Sequence, residues 1–144
     1  MCGNGALIGM IVTTIPILQI AIQQAQMMEF IGLSDRAGQL AESLNVGQKK
    51  RLEMARALAA HPYLLLLDEV LAGLNPSEIS QMIEIVRQIR QRGITIIMIE
   101  HRLKELFRIA DRIIALNYGQ KIADGQAAEV MESPEVKNAY LGSE

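Results

Sequence analysis

The chain has 144 residues, which is enough for one ordinary domain or part of one. Half of the residues are apolar, only 3% are aromatic and tryptophan is absent, so the core must be built from aliphatic side chains, as suits a layered α/β protein. The net charge of -2 and the scarce aromatic rings provide neither the basic surface nor the stacking platforms that nucleic-acid binding uses. We therefore expect no nucleic acid among the partners.

The N-terminal segment is uncharged: the first Asp, Glu, Lys or Arg is Glu29. Its apolar run, Ala6–Ile22, is interrupted by two threonines, a proline and a glutamine, and Met1–Gly5 lacks the basic start of a signal peptide. We predict a buried or amphipathic helical segment rather than a membrane span. The single cysteine, Cys2, gives no sign of an oxidising compartment.

Helical periodicity follows. A stripe at Met27–Ile31 ends in the turn Gly32–Asp35, where Asp35 is expected to cap a short segment. Asn45 is expected to cap a helix over Val46–Ala60, which the next proline ends. The basic residues 49–51 are interpreted as a solvated face of that helix.

A second helix has a strong start signal. Asn75 caps it, Pro76 occupies its first position, and Glu78 is spaced to reach back to the cap. Gly93 is expected to end it. One apolar stripe runs along it: Ile79, Met82, Ile83, Val86 and Ile89.

Two short all-apolar runs predict strands buried on both faces, each ending in polar side chains. They are Tyr63–Leu67, followed by Asp68 and Glu69, and Ile94–Ile99, followed by Glu100 and His101. Ligands of open α/β sheets lie beyond the carboxyl ends of the strands, so these polar residues are a candidate functional site.

The rest of the chain adds a helix ending at Ala110, a third strand Arg112–Leu116, a hairpin partner Gln120–Ala123, and a last helix from Pro134 to near Leu141. Strands separated by helices predict an α/β fold with a mostly parallel sheet.

Four segments, in this order and spacing, resemble the motifs of ATP-binding-cassette (ABC) ATPases. Leu44–Gln48 resembles the ABC signature, Leu64–Glu69 the Walker B motif with its catalytic glutamate, Ala72–Asn75 the D-loop, and His101 the switch histidine. The resemblance implies a partial P-loop NTPase (ABC ATPase) fold with flanking helices. It places residues 1–45 in part of the helical subdomain and residues 46–144 in the C-terminal part of the RecA-like core, with its C-terminal hairpin and helices.

The resemblance also implies roles, with ATP and Mg²⁺ as ligands. Asp68 would hold Mg²⁺, Glu69 would activate the attacking water, and His101 would contact the γ-phosphate. Nucleotide contacts in the opposite subunit of a head-to-tail dimer would come from Leu44, Asn45, Val46, Gly47, Gln48 and Asn75.

The finer resemblance is to ATP-binding subunits of branched-chain amino-acid importers. It rests on Val46 in the signature, Gly73–Pro76, Ile99–His101, Tyr118–Gly125 and Ala139–Gly142. It implies transmembrane permease partners and a cytoplasmic, peripheral location on the inner membrane.

Three departures qualify these expectations. The first lysine is Lys49 and no lysine follows a glycine, so the 144 residues contain no Walker A loop, G-x-x-x-x-G-K-[ST]. Asn45 stands where the family usually has Ser, and Val70 where it usually has Pro. We expect a C-terminal portion of a cassette that cannot bind ATP alone, with an interrupted sheet and marginal stability.

Two alternatives stay open. One is a non-catalytic module that lends its signature to a partner cassette; the other is the ATPase subunit of another ABC transporter, such as a lipopolysaccharide exporter.

Overall fold

The computed structural model describes residues 19–141. They form two compact units: one contains the described residues up to Leu66 together with Ala72–Ile97, and the other contains Leu67–Leu71 and the described residues from Met98 onwards. The helices are α1 (residues 19–30), α2 (Val46–Leu58), α3 (Pro76–Gln91), α4 (Leu103–Leu106), α5 (Ala127–Glu132) and α6 (Pro134–Val136). The strands are β1 (Leu64–Asp68), β2 (Thr95–Ile99), β3 (Ile113–Asn117) and β4 (Gln120–Gly125).

Strands β1 and β2 form one two-stranded sheet. They are parallel, because the amide of Thr95 donates to the carbonyl of Tyr63 at one end and that of Glu69 donates to Ile99 at the other. The prediction that β1 is buried on both faces is wrong for the described chain. Leu65 and Leu67 are buried, whereas Leu66 between them is 68% exposed, the alternation of a strand covered on one face only.

Helices α2 and α3 begin as predicted. The side chains of Asn45 and Asn75 accept hydrogen bonds from the amide of the third residue of their helices, and the side chains of Gln48 and Glu78 accept from the cap amides in return. All five predicted stripe residues of α3 are buried, together with Ile85.

The segment between α1 and α2 differs from the prediction. Asp35 lies inside a 3₁₀ turn, Ser34–Arg36, and pairs with Arg36 instead of capping the turn. Arg51 is not part of a solvated face, since its guanidinium donates to the carbonyl of Ile31 at 3.1 Å. That bond satisfies a carbonyl at the end of α1 and ties α1 to α2. Beside it, Ile31, Leu33 and Ala55 form a buried cluster.

In the second unit, β3 and β4 form an antiparallel hairpin, and β3 pairs with no other described strand. Ile113, Ala115, Val130 and Val136 are the buried core of this unit. At the open end of the hairpin, Asp124 accepts from Arg112 at 2.8 Å and from Lys121 at 2.9 Å. These two hydrogen bonds lower the pKa of Asp124 to about 2, and the bond from Arg112 is the larger cause.

Three C-terminal elements differ from the prediction. Helix α4 ends at Leu106, and the chain reaches Ala110 through turns in which the amides of Arg108 and Ile109 donate three residues back. Helix α5 was not predicted. The last helix changes at Lys137 from α to π geometry up to Leu141, where Tyr140 donates to the carbonyl of Leu116.

Within residues 19–141, no helix is both long and apolar enough to cross a bilayer. Of the predicted helical segment Ala6–Ile22, residues 19–22 belong to α1, and the earlier residues lie outside the described part of the chain.

Candidate functional site

Glu69 and His101 meet where β1 and β2 end. Nδ1 of His101 lies 3.7 Å from Oε1 of Glu69, and the two side chains are 64% and 59% exposed. Asp68, the last residue of β1, is also exposed. The parallel register therefore brings a carboxylate and an imidazole together on a surface that a solute can reach.

The backbone of Glu69 has an unusual conformation. Its φ is 45°, in the left-handed region that residues other than glycine rarely adopt. On either side of this residue the chain is fastened to the end of β2: the amide of Glu69 donates to the carbonyl of Ile99 at 2.9 Å, and the amide of Leu71 donates to Oε1 of Glu100 at 2.7 Å. Strained backbone persists where its surroundings hold it, and such positions concentrate at functional sites.

The residues that resemble the signature form the start of α2. Leu44 is buried, while Asn45 and Val46 are exposed, Val46 to 55%. Oδ1 of Asn45 accepts from the amide of Gln48 at 2.8 Å, and Oε1 of Gln48 accepts from the amide of Asn45 at 3.0 Å. In this conformation the amide of Gln48 is already satisfied within the cap.

The D-loop-like segment lies against this helix start, in the same unit. A Cβ built on Gly73 would lie 3.9 Å from Cγ1 of Val46. A Cβ on Gly47 would lie only 2.7 Å from Oε1 of Glu78, closer than real Cβ contacts. The starts of α2 and α3 are therefore in direct contact, with Glu78 between the cap of α3 and Gly47.

The predicted site residues thus fall into two groups. Asp68, Glu69 and His101 belong to one unit, and Leu44–Gln48 with Asn75 belong to the other. Sequence reasoning missed two residues beside these groups. Glu100 was noted only as a polar strand end, and Glu78 only as a cap. The one signal for Glu100 was a carboxylate directly before His101 in an otherwise apolar strand.

The side chains present suit a magnesium ion held mainly by a ligand's own oxygens. Among the described residues, no three His, Cys, Asp or Glu side chains cluster as a metal cage. Magnesium at phosphate-binding sites commonly uses only one or two carboxylates and keeps several waters. The exposed Asp68 at the strand end is a donor of that kind, and a helix start such as that of α2 suits phosphate oxygens.

Comparison with known proteins identifies the family. The family described as ABC transporter matches residues 10–72, and the one described as branched-chain amino acid ATP-binding cassette transporter matches residues 120–144. The high-affinity branched-chain amino acid transport ATP-binding protein LivG of Escherichia coli K12 is 40% identical over 119 residues, which are 82% of this chain and 47% of LivG. The chain belongs to the ABC transporter ATP-binding family. It spans about half the length of the curated relatives it matches.

Two further relatives bear on this ABC sequence. The lipopolysaccharide export system ATP-binding protein LptB of Haemophilus influenzae is 34% identical over 119 residues, covering 83% of this chain and 49% of LptB. The crystal structure of the ADP conformation of MJ1267, an ATP-binding cassette of an ABC transporter, superposes with a TM-score of 0.78 at 30% identity. That superposition covers 87% of this chain and 51% of MJ1267, and it confirms the predicted α/β ABC ATPase fold.

Proposed function

We propose that this chain is the signature- and Walker-B-bearing portion of the ATP-hydrolysing subunit of an ABC importer for branched-chain amino acids. The observation that carries the proposal is the contact between Glu69 and His101, 3.7 Å apart beside Asp68 at the ends of two parallel strands. A base beside a γ-phosphate sensor is the arrangement that hydrolysis of a bound nucleotide requires.

Each residue has a distinct task in this proposal. Glu69 orients the attacking water and accepts its proton, and His101 donates a hydrogen bond to the terminal phosphate while its Nδ1 faces Glu69. Asp68 would hold Mg²⁺, which when bound would supply neutralisation of charge on the phosphates. The start of α2, where Asn45 and Val46 are exposed, faces the nucleotide of a second subunit.

The substrate class rests on the C-terminal match. Residues 120–144 match the branched-chain amino acid family, and LivG is more similar to the chain than LptB is, at 40% against 34% identity. A lipopolysaccharide exporter subunit is the second candidate, because LptB matches over the same length. In either case, permease subunits in the membrane are the proposed partners, with the chain peripheral on the cytoplasmic face.

The kind of partner subunit follows from how two ABC subunits divide each nucleotide site between them. In a head-to-tail dimer, one subunit's Walker A loop and catalytic glutamate face the other subunit's signature. Since the 144 residues contain a signature and no lysine loop, a pair of these polypeptides would form no complete site. Paired with a subunit that carries a Walker A loop, the 144 residues would complete that subunit's site through Asn45–Gln48.

This arrangement is tested by complementation. A LivG-type subunit whose own signature has been inactivated should hydrolyse ATP only when the 144-residue chain supplies a signature. Val46→Asp should abolish the restored hydrolysis, because the new carboxylate repels phosphate. Val46→Asn, whose side chain has the shape of aspartate without its charge, should retain most of the hydrolysis. Val46 is exposed and an acidic residue suits a helix start, so both variants should fold. Equal activity of the two variants would contradict the proposal.

Direct ATP binding tests an expectation that the proposed function shares with the alternative of a non-catalytic module, namely that these residues do not hold a nucleotide by themselves. The purified chain alone is expected to bind labelled Mg·ATP too weakly to detect at micromolar concentration. In the complementation assay, Glu69→Gln in this chain should leave hydrolysis unchanged if the chain only lends its signature.

A further inference from the structure

We propose that Glu100 is a positioning residue that holds Glu69 in its left-handed backbone conformation beside His101. The inference rests on the proposed function in one respect, the role of Glu69 as the base. The structural part stands on the contacts of Glu100 alone.

The first step is the hydrogen bond itself. Oε1 of Glu100 accepts from the amide of Leu71 at 2.7 Å, and a bond from an amide to a carboxylate is stronger than one to a neutral acceptor. The side chain of Leu71 is fully buried, so this end of the loop is also anchored by packing. The amide of Leu71, two residues after Glu69, is thereby fixed to Glu100, the residue directly before His101.

The second step is the conformation that this bond restrains. The φ of Glu69 is 45°, and the bonds of Glu69 to Ile99 and of Leu71 to Glu100 enclose it on both sides. The residue between them is Val70, which lacks the ring that would fix φ in a proline. Because valine restricts φ less than proline does, the bond from Leu71 restrains the part of the loop that follows Glu69, together with the packing of the Leu71 side chain.

The third step is the cost of having a carboxylate there. Oε2 of Glu100 is buried and has no hydrogen-bond partner among the described residues. A buried polar atom without a partner is destabilising, and in a native protein it calls for a reason. The bond that Oε1 accepts from the amide of Leu71 is the contact that offsets this cost.

The test uses the full 144-residue chain and no nucleotide. In the parent chain, NMR should detect a through-bond coupling between the amide nitrogen of Leu71 and the carboxyl carbon of Glu100. In Glu100→Leu, exchange of the Leu71 amide with solvent should be roughly tenfold faster or more, while the amides of the β3–β4 hairpin keep their rates. In Glu100→Gln, which keeps an acceptor oxygen, the rate should return close to that of the parent.

A second readout reports on position rather than stability. The nuclear Overhauser contact between His101 and Glu69 should vanish in Glu100→Leu and persist in Glu100→Gln, which a general loss of stability would not produce. Absence of the coupling in the parent chain, or unchanged Leu71 exchange in Glu100→Leu, would overturn the proposal even if that variant unfolds more easily. Since none of these measurements uses ATP, they can fail while the Val46 complementation succeeds, and the reverse holds as well.

Discussion

The residues at the strand ends divide into those that present a group and those that hold it in place. Glu69 and His101 present their side chains to solvent, whereas Leu71 and Glu100 fix the backbone between them. The resemblance to ABC motifs predicted the first pair, because those residues carry chemistry that a motif records. It could not predict the second pair, because a hydrogen bond from a loop amide to Glu100 depends on the path of the loop.

The ion pairs of Asp124 with Arg112 and Lys121 on the hairpin can be tested by titration. Its pKa is lowered from the ordinary value of an aspartate to about 2, first by the hydrogen bond from Arg112 and then by that from Lys121. A lowered carboxyl pKa stabilises the folded state above the unfolded value, and that contribution is lost as pH falls through about 2.

We expect an NMR titration of the Asp124 carboxyl to have its midpoint near this value. Arg112→Gln should raise the midpoint more than Lys121→Gln does, because the bond from Arg112 is the larger cause. An equal or larger shift in Lys121→Gln would show that the order of the two contributions is wrong.

At the scale of elements, the helix starts were predictable and several ends were not. Asn45 and Asn75 cap their helices through bonds within four residues, so their signals are contained in the local sequence. The early end of α4 and the start of α5 have weaker local signals. Gln126 and Glu129 have capping-box spacing, and Glu129 accepts from the amide of Gln126, but glutamine is an uncommon cap, and the short helix is stabilised by packing of Val130 in the hairpin core.

The cap of α3 gives the prediction at this scale. Asn75→Ala removes the acceptor for the amide of Glu78 and should lower the free energy of unfolding by about 1 kcal/mol, measured by chemical denaturation. Asn75→Asp keeps the acceptor at the same position and adds a charge that a helix start favours, so its unfolding should match or exceed that of the parent. Equal losses in both variants would mean that the cap does not stabilise α3.

At the scale of the whole molecule, the exposed apolar faces of the strands determine whether the chain associates with other chains in solution. Leu66 is 68% exposed and Ile97 is 53% exposed, and Ile114 and Leu116 of β3 are exposed as well. Exposed apolar strands promote association with other chains. The apolar runs predicted strands buried on both faces, because such runs are typical of parallel sheets. Whether a strand face is covered depends on which other elements pack against it, and the residues of the strand alone do not determine that.

We therefore predict that the isolated chain self-associates at micromolar concentration, as sedimentation velocity would detect. The double variant Leu66→Thr with Ile97→Thr should shift the distribution toward monomer without loss of secondary structure, because both side chains are exposed and threonine suits a strand. Leu65→Thr is the matched control: Leu65 is buried, so this change should destabilise the fold without improving solubility. A parent chain that is monomeric and melts cooperatively well above ambient temperature would contradict the prediction.

The contact between Gly47 and Glu78 has a consequence for sequence variation. The carboxylate of Glu78 fills the space in which a Cβ on residue 47 would lie. A larger side chain at position 47 therefore requires a smaller one at position 78, although the two positions are distant in the chain. In an alignment of relatives, they should change together: a sequence with alanine or serine at position 47 should have a residue shorter than Glu at position 78. The glycine of the signature would then record the size of its neighbour in α3 as well as the approach of a phosphate.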